Sequence, residues 1–231
     1  MDGVGGIVES VQLTAEEIRV LGCLAEKERT TPDDYPLTKN AVLRACNQTT
    51  SRFPIVTYSE AMVDDTLATL KERGYARFVH QAHGRAVTRY RQVFQEKHQL
   101  SDAQMALLAA LALRGPQTLV ELKTRTERSF GFESLDGVRS VLETLAIADP
   151  APGIDEPLVE LLERQPGQKE ARWTHRLSGE AELIVEGGGT RVAAVAEAVS
   201  EVAALRDRVQ ALETTVALLQ DRFEELVGPI E

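Results

Sequence analysis

Arginine is the side chain most open to a chemical role here, because four of them, Arg77, Arg85, Arg89 and Arg91, fall on one predicted hairpin. A guanidinium presents a planar fork of donors that matches a phosphate, so such a hairpin can track a nucleic-acid backbone. Lys39, Arg44 and Arg52, around a short neighbouring helix, complete a candidate nucleic-acid-binding set. Arginines on a solvated hairpin can equally do no more than pair across its strands. Nucleophilic and metal chemistry has less to draw on. His80 and His83 form an HxxH, but a strand and its turn do not put both imidazoles on one face. Cys23 and Cys46 lie in predicted helices without a CxxC neighbour, which suits packing thiols in a reducing compartment. The chain has no Gly-rich phosphate loop, GxSxG or HExxH, so neither an enzyme nor a bound metal or cofactor is expected.

The hairpin belongs to a plan that the chain runs through twice. Its turn reads Gly84-Arg85-Ala86-Val87-Thr88-Arg89-Tyr90, and a second string, Gly167-Gln168-Lys169-Glu170-Ala171-Arg172-Trp173, repeats the glycine, arginine and aromatic at one offset of 83 residues. Upstream of the first turn, Thr14 with Glu17 makes a capping box for a helix whose apolar face is Ile18, Leu21, Gly22 and Ala25 and which should end near Thr30. Pro32 and Pro36 bracket a loop before a second helix over residues 37–45. Ser59 caps a third, with Val63, Leu67 and Leu70 inward and Gly74 as its stop. Strands are predicted over 75–81 and 87–93, with Phe78 and Tyr90 inward and Arg77, Arg89 and Arg91 outward.

The second pass starts at Ser101, runs through Met105, Leu108, Ala109 and Ala112, and stops at Gly115-Pro116. A short helix over 118–126 follows, then a helix capped by Ser134 with Leu135, Val138, Leu142 and Leu145 inward. A Pro/Gly-rich loop over 149–157 leads to strands over 158–164 and 170–177. Three helices and a two-stranded wing make a winged helix. The expected fold class is therefore α+β, mainly helical, with two tandem winged-helix domains over 13–95 and 100–178. A flexible arm over 1–12 precedes them.

Beyond a linker over 179–190, a long helix over 191–228 carries a heptad. Val195, Val202, Val209, Val216 and Phe223 take position a, and Ala198, Leu205, Leu212, Leu219 and Leu226 take position d. β-branched residues at a with leucine at d favour two parallel strands, so these ten residues are the expected homodimer interface. Glu201 would then face Arg206 of the partner subunit, each such contact contributing about 0.2–1 kcal/mol and setting orientation more than strength. An amphipathic helix folded back on its own domains is the competing reading.

The net charge of −10 is unevenly spread: +2 over residues 14–93, −3 over 101–176 and −7 over 177–231. Acidity in the tail leaves room for a basic face on the first domain. Its third helix, however, opens Ser59-Glu60-Ala61-Met62-Val63-Asp64-Asp65, and Glu133 and Asp136 hold the matching place in the second domain. Carboxylates there suit a helix dipole and repel a polyanion. The longest apolar run, residues 106–113, is too short to cross a bilayer, and no secretory signal pattern opens the chain, so a cytoplasmic protein without membrane partners is expected.

Several strings resemble the YceH family of bacterial proteins: Leu13-Thr14-Ala15-Glu16-Glu17, Arg19-Val20-Leu21-Gly22-Cys23-Leu24, Thr30-Thr31-Pro32 with Tyr35-Pro36-Leu37, Ala45-Cys46-Asn47-Gln48, Leu113-Arg114-Gly115-Pro116-Gln117-Thr118, and Gln165-Pro166-Gly167 with Arg172. The resemblance implies a tandem winged-helix fold with a heptad tail and a dimer, without assigning an activity. Phe53 departs from it, standing where the family's Arg-x-Pro stretch often has a glutamate. Two functions remain open. One is a dimeric DNA-associated regulator contacting the backbone through the wing arginines. The other is an adaptor that holds a second protein, favoured by the acidic third helices and acidic tail.

Overall fold

The computed structural model describes residues 11–80 and 87–178. The first ten residues of the arm, the hairpin tip with His83 and Arg85, the linker and the whole heptad from Val195 to Leu226 lie outside the described residues. Six of the seven α-helices among the described residues begin on a Ser or Thr whose hydroxyl accepts from the amide three residues on. Thr14, Ser59, Ser101 and Ser134 are four of them, as their placement before apolar-periodic stretches requires.

The first half runs α1 (Ala15–Thr30), a 3₁₀ turn (Pro32–Asp34), β1 (Leu37–Thr38), α2 (Lys39–Cys46), α3 (Glu60–Glu72), β2 (Ala76–His80) and β3 (Thr88–Gln92). The strands form an antiparallel sheet in the order β1-β3-β2, with Tyr90 opposite both Leu37 and Phe78. The rings of Phe78 and Tyr90 meet edge-on at 4.9 Å, on the face turned toward the helices as the alternation requires. Residues 37 and 38, expected to open the second helix, are instead the strand β1. Thr38 both ends that strand and caps α2.

A short helix, α4 (Phe94–Lys97), leads to the second half: α5 (Asp102–Arg114), α6 (Leu119–Thr126), α7 (Leu135–Leu145), β4 (Val159–Leu161) and β5 (Trp173–His175). β4 and β5 pair antiparallel, Leu161 opposite Trp173. Both strands are shorter than expected, because the chain between them passes through Pro166, which has no amide to donate, and Gly167 at φ 91°. On its other side Trp173 exchanges backbone bonds with Gln117 at 2.8 and 2.9 Å, so Gln117 stands in this half where β1 stands in the first.

The halves are not separate bodies of core. α1 is buried on every side from Glu17 to Ala25, and α5 from Met105 to Leu111, a wider burial than either amphipathic stripe predicts. A helix apolar all round is an interior helix. These two pack against each other. Gly22 marks their closest approach, since a Cβ there would lie 3.1 Å from Cγ and Cδ2 of Leu113. Backbone bonds also cross between the halves: the Leu13 amide donates to Leu177 at 2.7 Å, and the Phe53 amide to Leu113 at 2.8 Å. Val11, assigned to the flexible arm, is buried in the shared core, whereas Leu135, assigned to the apolar face of α7, is 39% exposed beside the cap.

Candidate functional site

Most of the cations singled out in the sequence are already occupied. Arg89 donates from Nη1 to the carbonyl of Pro36 at 2.8 Å, with Asp34 at 3.4 Å. Arg172, its counterpart in the repeat, donates from Nη1 to the carbonyl of Pro116 at 2.9 Å and to Glu121 at 2.8 Å. Each proline stands two residues before a threonine cap, in Pro36-Leu37-Thr38 and Pro116-Gln117-Thr118. The repeated arginine therefore ties its hairpin to the strand entry beside it in both halves.

Arg91 pairs with Glu96. Lys39 pairs with Asp64 at 2.9 Å and Glu60 at 3.8 Å, and its hydrogen bond to Asp64 raises its pKa. Arg52 leaves the candidate set altogether, because its side chain is fully enclosed. Its guanidinium donates to both oxygens of Glu26 (2.6 and 3.2 Å), to the carbonyls of Ala45 (3.0 Å) and Ser51 (2.9 Å), and to Gln48 (2.8 Å). Burial outside any reach of a duplex is the physical reason. Arg44 and Arg77 are exposed and carry no ion pair among the described residues.

The polar loop after α2 is held from several directions. Asn47 closes it, donating to the carbonyl of Tyr58 at 2.9 Å and accepting from its amide at 2.8 Å. Buried Arg19 donates to the carbonyl of Pro54. Phe53 lies 3.4 Å from where a Cβ on Gly115 would stand, so the aromatic found in place of a glutamate seats against the second half. Cys23 and Cys46 are both buried and share a hydrogen bond, which together with burial pushes the Cys46 thiol far above its ordinary range. Both thiols fill core space, and the raised Cys46 thiol has little thiolate to react.

Two surfaces stand out. On α3, Glu60, Asp64, Asp65 and Glu72 are exposed along with Met62, and Met62 and Asp65 border a shallow groove of about 400 Å³ against Glu16 and Glu17 of α1. The other is a cleft of about 230 Å³ at the meeting of α1, the loop after α2, α5 and α6. Among the described residues no group of His, Cys, Asp and Glu is placed to hold a metal, and no helix is long and apolar enough to cross a membrane.

An α+β, mainly helical protein of two like halves, each with three helices and an antiparallel hairpin, is the class these features define. A family model described as "Protein of unknown function, DUF480" matches residues 13–168. The chain belongs to that family. It is 43% identical over 223 residues to a UPF0502 protein of Enterobacter sp. (strain 638), covering 94% of this chain and 97% of the relative. It is 44% identical over 209 residues to a UPF0502 protein of Geobacter sulfurreducens, covering 90% of each. A UPF0502 protein of Cronobacter sakazakii is 41% identical over 221 residues, 94% of this chain and 97% of that one. The YceH-type strings read in the sequence fall within this relationship.

Proposed function

We propose that this chain is a non-enzymatic, cytoplasmic adaptor of two tandem winged-helix domains, paired into a homodimer by its heptad tail, which holds a basic segment of another protein. The observation that carries the reading is the outward face of α3, the helix that enters the major groove in a DNA-binding winged helix. Here that face presents Glu60, Asp64, Asp65 and Glu72 with Lys71. Lys39 of α2 pairs with Asp64 and Glu60, so Asp65 and Glu72, with no ion pair among the described residues, are the carboxylates left to repel phosphates and suit a cationic partner. Met62 is 40% exposed at the rim of the adjoining groove and supplies an adaptable apolar contact. The occupied arginines point the same way, since Arg89 is spent on backbone carbonyls and Arg52 on the interior.

A second reading, backbone association with DNA, draws on Arg44 and Arg77, exposed and unpaired among the described residues. Two free arginines would give weak, salt-sensitive binding without sequence preference. Cross-linking and mass spectrometry on the full chain test the two together. The adaptor reading expects a partner cross-linked beside α3 and lost with Asp65→Lys or Met62→Arg, and DNA shifted only at low salt. Tight DNA binding at physiological salt that falls with Arg44→Ala and Arg77→Ala, alongside cross-links indifferent to both α3 changes, would overturn it.

A further inference from the structure

We propose that the cleft between the two halves binds a phosphate-bearing small molecule, gripped by Arg114 and Arg128. The site is separate from α3 and does not depend on the adaptor reading. Lys27 at the end of α1, Arg114 at the end of α5, and Arg125 and Arg128 by the end of α6 line it, and Arg52 from the loop borders it with its side chain closed off from solvent. One carboxylate, Glu26, stands against these five cations, and Arg52 already holds both its oxygens. Arg125 is partly engaged, donating to Gln117 at 2.8 Å and to Glu121 at 3.5 Å.

Arg114 is different. It is half-buried and makes no hydrogen bond or ion pair among the described residues. Burial lowers its pKa, and although Glu26 opposes this, Arg125 and Arg52 add like-charge repulsion. A partly desolvated charge facing two others of its own sign is unfavourable until an anion joins it. Arg128, exposed at the mouth, likewise has no ion pair among the described residues. Two guanidiniums with open forks are the geometry that takes up a phosphate through paired donors.

The rest of the cleft limits what the phosphate can be attached to. Ala106, Ala109 and Ala110 of α5 form a small apolar part of a lining that is otherwise mostly polar, with Thr30, Thr50 and Ser129 in it. A volume of about 230 Å³ falls below the range typical of drug-sized ligands, so it admits a phosphate with a small organic body and excludes a duplex. Because both halves contribute walls, an occupant would also hold them together.

Isothermal titration of the full-length protein with inorganic phosphate, pyrophosphate and AMP, each against sodium chloride of equal ionic strength, tests the site. Saturable binding of at least one phosphate compound is expected, with none for chloride. Arg114→Gln should weaken it about ten- to a hundredfold, the loss of one charge-assisted contact. Arg128→Gln, at an exposed position that leaves folding intact by circular dichroism, should weaken it in the same direction. AMP binding more tightly than inorganic phosphate identifies an ester held on the alanine surface, while equal affinity identifies the phosphate group itself as what is recognised. No binding beyond the chloride control, or affinity unchanged in both variants, overturns the proposal.

Discussion

Replacing Arg52 by methionine separates a structural arginine from a nucleic-acid-contacting one. In the native chain its guanidinium makes five hydrogen bonds, two of them to Glu26, and none of its side chain reaches solvent. Methionine fills similar volume but donates nothing, so the carbonyls of Ala45 and Ser51 and the carboxylate of Glu26 lose their partner. Glu26 is 19% exposed and recovers some hydration, which keeps the loss below that of a sealed charge. Breaking one side of a buried ion pair costs about 3–5 kcal/mol, and the lower end applies here. With a urea slope of about 2 kcal/mol per molar, the midpoint should fall by roughly 1.5 M. Arg52→Lys should fall between, because an ammonium keeps the charge without the fork. Arg44→Ala, at an exposed site, should stay within about 0.5 kcal/mol of the parent. An Arg52→Met protein less than 1 kcal/mol below the parent would refute the assignment of this side chain to the interior.

His175 should make the fold acid-sensitive. Burial pushes its pKa down to about 4, below the ordinary 6.5, so the unfolded chain binds the extra proton between those values. Stability from this group is complete above pH 6.5 and declines as pH falls toward 4, by about 3 kcal/mol at most. Urea midpoints from pH 7 to 4 should therefore drop more steeply for the native chain than for His175→Phe, and parallel curves would rule the effect out. At Gly22, valine should cost about 2 kcal/mol through overpacking against Leu113, while alanine stays nearer neutral because its helix propensity offsets about 1 kcal/mol. A Gly22→Val protein as stable as the parent in urea would mean that α1 and α5 do not approach so closely.

The helix starts were legible because a hydroxyl cap is a local device: Thr14 with Glu17, Ser59, Ser101 and Ser134 need only their own next turn. The inward faces of α3 and the Phe78–Tyr90 pair were legible for the same reason of short-range period. β1 was not, since two residues carry no alternation, and Leu37 read as the start of the helix that Thr38 in fact caps. The all-round burial of α1 and α5 was hidden because each helix meets the other half, which no single window of sequence displays. Arginine roles were the least legible. Arg89 and Arg172 donate to carbonyls, and a backbone acceptor leaves no trace in residue type. Arg114, which in sequence only precedes the Gly115-Pro116 stop, gains its interest from the company of Arg52 and Arg125, brought from distant segments.

The bond from the Leu13 amide to the Leu177 carbonyl sets an order on synthesis. As the chain leaves the ribosome, α1 emerges early with its outer side bare, and the partner that closes its entry is among the last described residues to be made. The first half can therefore collapse but not close this entry until residue 177 has been made. A release point short of residue 177 would leave an apolar seam open to any chaperone or neighbouring nascent chain.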